Sequence, residues 1–198
     1  MRDSTFLDVP AGHIATVVTH LEMTSQPVPA PEVRVPSGLE IVLMDAPDLA
    51  QYRALFREIG AQWLWNSRLW MADEKLSALL THPEVEPWVL RRDGRDVGVL
   101  ELDFRQAGAC ELALFGLAPS AIGRGAGRAL ISFGINRAFA RDISRFHLHT
   151  CTLDSPQALG FYRRSGFAPV RQEVEIMPDP RLHGLLPREM APHIPITS

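Results

Sequence analysis

Between residues 127 and 138, small and apolar positions recur every three to four residues. Gly127, Leu130, Ile131, Gly134, Ile135 and Ala138 fall on one side of the helical period. The spacing predicts a helix packed by that side onto a sheet. Runs of apolar residues at 39–43, 87–91, 97–104, 110–117, 146–152 and 167–176 predict the strands of that sheet. Between the second and third runs, Arg92-Asp93-Gly94-Arg95 contains the Asp-Gly pair that favours a tight hairpin turn. Gly116, in the fourth run, predicts a bulge that frees edge groups of its strand. Residues 46–80 read as two helices broken near Trp65-Asn66-Ser67. The order of elements is that of a mixed α/β sheet. Residues 13–23 have the β-branched content of one more strand, and 27–36 form a proline-rich link. These patterns divide the chain into an amino-terminal extension (1–38), an α/β domain (39–177) and a proline-rich tail packed on it (178–198).

Composition narrows the partners. A chain of 198 residues, 46% of them hydrophobic, is long enough to bury one substantial core. A net charge of −3, with Lys75 as the only lysine, excludes the clustered cations of a nucleic-acid binder. No apolar stretch approaches the ~20 residues of a spanning helix, and the start of the chain lacks the apolar core of a secretory signal, so we expect a cytoplasmic protein with no membrane partner. Cys110 and Cys151 lie in apolar strand-like runs and read as small buried hydrophobes in a reducing compartment. His147, His149 and Cys151 share one face of a strand, but no second segment offers ligands at metal spacing, so no metal is expected.

Three glycines at alternate positions in Gly123-Arg-Gly-Ala-Gly-Arg128 stand between a predicted strand and the helix that follows. Such a loop leaves successive backbone N–H groups free to converge on an anion at a helix N-terminus. A dinucleotide fingerprint requires its third glycine at position 128, which is Arg, and the chain has no Gly-Lys-Ser/Thr of a Walker A loop. Both nucleotide readings fail. Charge is also uneven here: residues 118–146 hold Arg124, Arg128, Arg137, Arg141 and Arg145 against Asp142. A polyanion at the helix start draws on Arg124 and Arg128, and the others read equally well as a solvated face.

Downstream, Asp154-Ser-Pro-Gln-Ala-Leu-Gly-Phe-Tyr162 begins a short helix, with Asp154 or Ser155 as its cap and Gly166-Phe167 as its stop. Ser155, Ala158 and Tyr162 come round to one side of it. The glycine loop and this helix, in this order and roughly thirty residues apart, resemble the two cofactor motifs of the GNAT superfamily of acyl-CoA-dependent N-acyltransferases. Trp63-Leu-Trp-Asn-Ser-Arg-Leu69, His149-Thr-Cys-Thr-Leu-Asp154 and Asp179-Pro-Arg-Leu-His-Gly-Leu-Leu-Pro-Arg188 are similar to a bacterial subgroup of it. Two positions depart from the pattern: Ile122 stands where the family carries a basic or amide side chain, and Ser155 where it often carries Asn.

The resemblance implies a mixed, mostly antiparallel sheet that splays between its fourth and fifth strands, counted from residue 39, and is flanked by about four helices. It implies acetyl-CoA as acyl donor, with the pantetheine arm against the backbone of Phe115, Gly116 and Leu117. The pyrophosphate would lie on Gly123, Arg124, Gly125, Ala126, Gly127 and Arg128, and Ser155 and Ala158 would touch the cofactor from the short helix. Tyr162 is the candidate acid for the departing thiolate. Glu111 is the candidate base or water-orienting group, with Glu101 and Asp103 as rivals; alternation puts Glu111 on the side of Ala113 and Phe115. Trp63, Trp65 and Trp70 either roof the acceptor pocket or anchor helices on the core. The expected acceptor is an amine of a small molecule or peptide, and a homodimer through an exposed sheet edge or the extra termini fits the chain. A module that binds acyl-CoA without turnover is the alternative that Ile122 and Ser155 keep open.

Overall fold

The Asp-Gly turn closes a hairpin. Strands β3 (Val85–Arg92) and β4 (Arg95–Asp103) pair antiparallel around Asp93 and Gly94, whose φ values of 50° and 77° match the twist of the flanking strands. The structure, a computed structural model, describes residues 5–197; residues 1–4 of the amino-terminal segment and residue 198 of the tail lie outside the described residues. Its other strands are β1 (His13–Met23), β2 (Leu39–Leu43), β5 (Ala109–Leu117), β6 (Arg145–Cys151) and β7 (Ala168–Pro178). The helices are α1 (Leu49–Gly60), α2 (Asp73–Leu80), α3 (Ala126–Phe139) and α4 (Ala158–Arg164).

All seven strands form one sheet in the order β2-β3-β4-β5-β6-β1-β7. Every neighbouring pair is antiparallel except β5–β6. The amino-terminal strand, expected in an extension, therefore lies inside the sheet, with β6 on one side and β7 on the other. Its residues Thr19, Leu21 and Met23 are buried there.

Helices cover both faces. Asp48 accepts hydrogen bonds from the backbone N–H groups of Ala50 (2.8 Å) and Gln51 (3.0 Å), which caps α1. The predicted break after it is a 3-10 turn, Ala61–Trp63, ended by Leu64 at φ 56°. On the opposite face the α3 stripe packs as its period predicts: a side chain at Gly134 would come within 2.7 Å of Leu100 Cδ1 on β4. Arg137, at the solvent edge of α3, and Arg141, just beyond its end, both bind Glu86 of β3, at 2.8 and 2.5 Å. Burial raises the Glu86 pKa, but its hydrogen bonds from Arg137 and Trp88 and the cations outweigh that and lower it.

One irregularity decides which way the site residues face. Glu101 pairs with Leu114 and Leu102 with Leu112, so Ala113 is an extra residue on β5. The expected bulge at Gly116 is thus found at Ala113, and Gly116 pairs regularly with Val99. Cross-strand partners share a face, so the extra residue reverses the alternation. Glu111 lies with Asp103, Glu101 and Gly116 on the α1 face, and Phe115 lies with Leu100 on the α3 face. The expectation that Glu111 and Phe115 share a side is corrected.

The tail wraps around one buried side chain. Arg181 donates to Asp179 (2.7 Å) and to the carbonyls of Met190, Ala191 and Ile194. Among the described residues no helix is long and apolar enough to cross a membrane.

Candidate functional site

The parallel seam between β5 and β6 is paired at only three positions: Ala109 with Arg145, Cys110 with Phe146, and Glu111 with His147. Beyond Glu111 the strands part. This is the expected splay, and it leaves the β6-facing backbone groups of β5 up to Leu117 without a strand partner.

The glycine loop lies where β5 leaves the sheet. Gly123, Arg124 and Gly125 have φ values of 92°, 52° and 85°, and nothing lies within 4 Å of a Cβ built on either glycine. Among the described residues the N–H groups of Gly123, Arg124, Gly125, Gly127 and Arg128 donate to no acceptor, whereas that of Ala126 returns to Gly123 O at 3.3 Å. A run of free, converging donors at the N-terminus of a fourteen-residue helix fits a pyrophosphate. Arg124 and Arg128 are exposed beside it, while Arg137 and Arg141 are taken by Glu86. Ala126 is buried at the start of α3, and a Cβ built on Gly127 would lie 3.6 Å from Leu117 Cδ1.

Helix α4 packs on the α3 side of the open seam. Phe115 stacks on Phe161, with centroids 5.5 Å apart, and meets Tyr162 edge-on at 6.1 Å. Tyr162 is 9% exposed, and among the described residues its hydroxyl has no hydrogen-bond partner, yet it is not fully buried. Burial, reinforced by the nearby Asp154 carboxylate, pushes the phenol pKa well above its usual value. Tyr162 therefore holds its proton at neutral pH.

Asp154 does not cap α4 as expected. It turns back: Oδ2 accepts from Thr150 Oγ1 (2.7 Å) and the Cys151 N–H (3.0 Å), and Oδ1 accepts from the Trp65 indole N–H (2.9 Å). Ser155 does not cap it either: α4 starts at Ala158 with Gln157 at its N-cap and no side-chain cap bond, and Ser155 Oγ only accepts from the Gln157 N–H, at 3.4 Å, in the turn before it. Ser155 and Ala158 are half-buried on the side of the helix that carries Tyr162. Trp65, fixed by Asp154, covers β5 from the opposite face, because Gly116 leaves room for it: a Cβ there would lie 2.9 Å from Trp65 Cη2. Of the three tryptophans, Trp65 is the one set over the seam. The Asp154–Trp65 bond joins the two sides of the opening, and the sequence signals it only as a Trp-rich segment and a cap-like Asp.

The carboxylates separate by their partners. Glu101 is fully buried and bound by the Tyr52 hydroxyl and by Arg68 (2.8 Å), which removes it as a base. Burial and the Glu101 charge raise the Tyr52 pKa. Burial alone would lower the Arg68 pKa, but Glu101 raises it. Asp103 is held by Arg105, whose hydrogen bonds lower its pKa against the effect of burial. Among the described residues Glu111 has no arginine partner. It stands half-buried at the apex of the seam, with His149 Nδ1 3.7 Å away. The adjacent His147 has a buried, unpartnered Nε2, and desolvation lowers its pKa. Glu111 and Tyr162 thus flank the opening from opposite faces of the sheet.

Comparison with known proteins agrees with this geometry. Residues 52–167 match the acetyltransferase (GNAT) family. No curated protein matches in sequence. Among solved structures, a putative GNAT-family acetyltransferase from Novosphingobium aromaticivorans is 21% identical, with a TM-score of 0.59 over 85% of this chain and 67% of that one. An aminoglycoside acetyltransferase from an uncultured soil metagenomic sample, in complex with trehalose, is 18% identical, with a TM-score of 0.55 over 67% and 90%. PaiA N-acetyltransferase from Thermoplasma acidophilum, in complex with coenzyme A, is 18% identical, with a TM-score of 0.50 over 66% and 89%. Against its larger structural neighbours the chain spans 53% to 67% of their length.

Proposed function

Because the chain belongs to the GNAT acetyltransferase family, we propose that it transfers an acetyl group from acetyl-CoA to a primary amine of a small molecule or peptide, by direct attack in a ternary complex. The observation that carries this reading is the run of free N–H groups at residues 123–128, set at the mouth of a seam flanked by Tyr162 and Glu111. A small-molecule amine is the acceptor class of the structurally similar aminoglycoside acetyltransferase, and PaiA has been solved with coenzyme A.

In this reading the loop amides, with Arg124 and Arg128, hold the pyrophosphate, and the β6-facing backbone groups of Phe115, Gly116 and Leu117 bind the pantetheine amides. Ser155, in the turn before α4, and Ala158, at its start, contact the cofactor. Bound acetyl-CoA supplies an activated thioester. Glu111 takes the amine proton, directly or through water, as the new C–N bond forms. Tyr162 gives its phenolic proton to the sulfur as the C–S bond breaks; burial keeps the phenol in its acid form beforehand, and the upward shift of its pKa makes it a weaker acid, so the proton moves only as the thiolate charge develops.

Calorimetry with CoA and acetyl-CoA, followed by an amine and peptide panel assayed for free thiol, tests this. At a hundredfold excess over the dissociation constant, binding adds about 2.7 kcal/mol and raises the melting temperature by about 5–10 °C. No binding at millimolar ligand sinks the reading. The exposure of Ile122, in place of a basic or amide side chain, favours a second one, an acyl-CoA-binding module without turnover. Tight binding with no thiol release across the panel would select it.

A further inference from the structure

The hairpin of β3 and β4 carries Arg91, Arg92 and Arg95, and two of these are already taken. Arg91 binds Asp96 and Arg95 binds Glu58, both at 2.8 Å. Among the described residues Arg92 has no carboxylate partner; its Nη1 donates to the Ser120 carbonyl at 3.1 Å, in the turn that leads into the glycine loop. Arg92 lines a cleft of about 540 Å³ beside that loop, together with Pro36, Gly38, Asp93, Ile122 and Arg124. The end of the proline-rich link closes part of it, where the Leu39 N–H returns to Pro36 O at 3.1 Å through Gly38 at φ 77°. Two guanidiniums against one carboxylate leave the cleft positive. Its apolar surface comes from Pro36 and the exposed Ile122.

We propose that this cleft takes the 3′-phosphoadenosine end of coenzyme A, with Arg92 and Arg124 on the 3′-phosphate and the adenine against Ile122 and Pro36. It rests on coenzyme A binding at the loop, which both readings of the function share. Gly123, Arg124 and Ala126 line the cleft as well as the cradle, so a ligand whose pyrophosphate lies on the loop amides reaches the cleft with its next group. In coenzyme A that group is a ribose bearing a 3′-phosphate, close to doubly charged at neutral pH. Guanidinium suits such a phosphate, because its planar fork of donors matches the phosphate oxygens. Ile122 then has a role. The loop loses a basic or amide side chain there but gains an apolar face for the base, and the missing cation comes from Arg92 on the neighbouring hairpin.

Calorimetric titration of the full chain with CoA and with 3′-dephospho-CoA tests the assignment. The wild type binds CoA at least about tenfold more tightly than the dephospho form. Arg92→Gln cuts that preference at least about fivefold, while affinity for dephospho-CoA stays within about twofold of wild type. Ile122→Ser weakens both ligands alike, by about fivefold, because both carry the adenine. Circular dichroism melting confirms that each variant is folded. Equal wild-type affinity for the two ligands, a preference that Arg92→Gln leaves intact, or an equal loss of both ligands in Arg92→Gln overturns the phosphate assignment and leaves coenzyme A binding at the loop standing. Unchanged affinities in Ile122→Ser overturn the placement of the adenine. Binding of neither ligand to the wild type overturns the reading of the loop, and this proposal with it.

Discussion

β6 borders two seams of opposite character. Toward β5 it is parallel and paired at three positions before the strands part; toward β1 it is antiparallel and paired at six, from Val18–Cys151 to Met23–Phe146. The two differ in what satisfies the backbone. From Val18 to Glu22, β1 meets β6 on one side and β7 on the other. Along β5 the groups near Phe115 to Leu117 are left for water or a ligand, and leaving such groups buried without a partner costs about 1–3 kcal/mol each. An opening of this kind stays open only if its walls cannot slide together. On one side β1 and β7 hold β6, and on the other the Ala113 bulge, Trp65 and the stacked Phe115–Phe161 pair set the line of β5.

The largest expected effect comes from breaking the closed seam. Thr19 is buried in β1, opposite Thr150 and Gln172. Thr19→Pro removes a ladder donor from an interior strand, and the cost is about 3 kcal/mol or more. Urea unfolding reads it directly, and an unchanged midpoint would mean that β1 is not an interior strand. Next comes the mouth of the open seam. Gly125→Asp puts a side chain at φ 85° and a carboxylate beside the anion site. CoA affinity falls at least about a hundredfold while melting moves by only a few degrees. Gly125→Ala, which strains the backbone without adding charge, loses less. Equal affinity in wild type and Gly125→Asp would reduce the loop to a turn.

The contrast between the seams was half legible in the sequence. The open side was readable because its signals are local: three glycines in one loop, the Asp-Gly turn, the period of α3, and the spacing of Ser155, Ala158 and Tyr162. The closed side was not. β-branched residues mark 13–23 as a strand, but only the long-range partners Cys151 to Phe146 and Ala168 to Pro178 put it between β6 and β7. Within the site, one inserted residue defeated the alternation rule. Nothing about Ala113 announces a bulge, yet it turns Phe115 away from Glu111. Asp154 was misread for a related reason: an Asp before Ser-Pro is cap-like by local rules, and its bonds to Trp65 and Thr150 depend on tertiary contact. Glu101 and Asp103 are rivals to Glu111 by sequence, and the structure removes them because Arg68 and Arg105 hold them.

Tyr162 tests whether the opening does chemistry. Tyr162→Phe removes one hydroxyl with no hydrogen-bond partner in the described structure and keeps the ring against Phe115 and Phe167. Stability and acetyl-CoA affinity stay near wild type, and turnover falls by about 10²-fold, the usual contribution of a positioned proton donor. A less stable variant with undiminished turnover per folded molecule would make the tyrosine a packing residue.

The smallest effect, and the most discriminating, is expected at the apex of the seam. Glu111→Gln keeps the shape of the side chain and its place opposite Asp103 and His147 but removes the charge. If Glu111 takes the amine proton, the loss of turnover is largest at low pH, where the acceptor is mostly protonated. It shrinks as pH approaches the amine's own pKa, because the substrate then arrives neutral and needs no base. A carboxylate that only fixes the strand gives the same fractional loss at every pH. Rate profiles of both proteins between about pH 6 and 9 separate these outcomes. Converging curves assign the proton to Glu111. Parallel curves remove it as base and, because Glu101 and Asp103 are already bound by arginines, leave water in the open seam to take the proton.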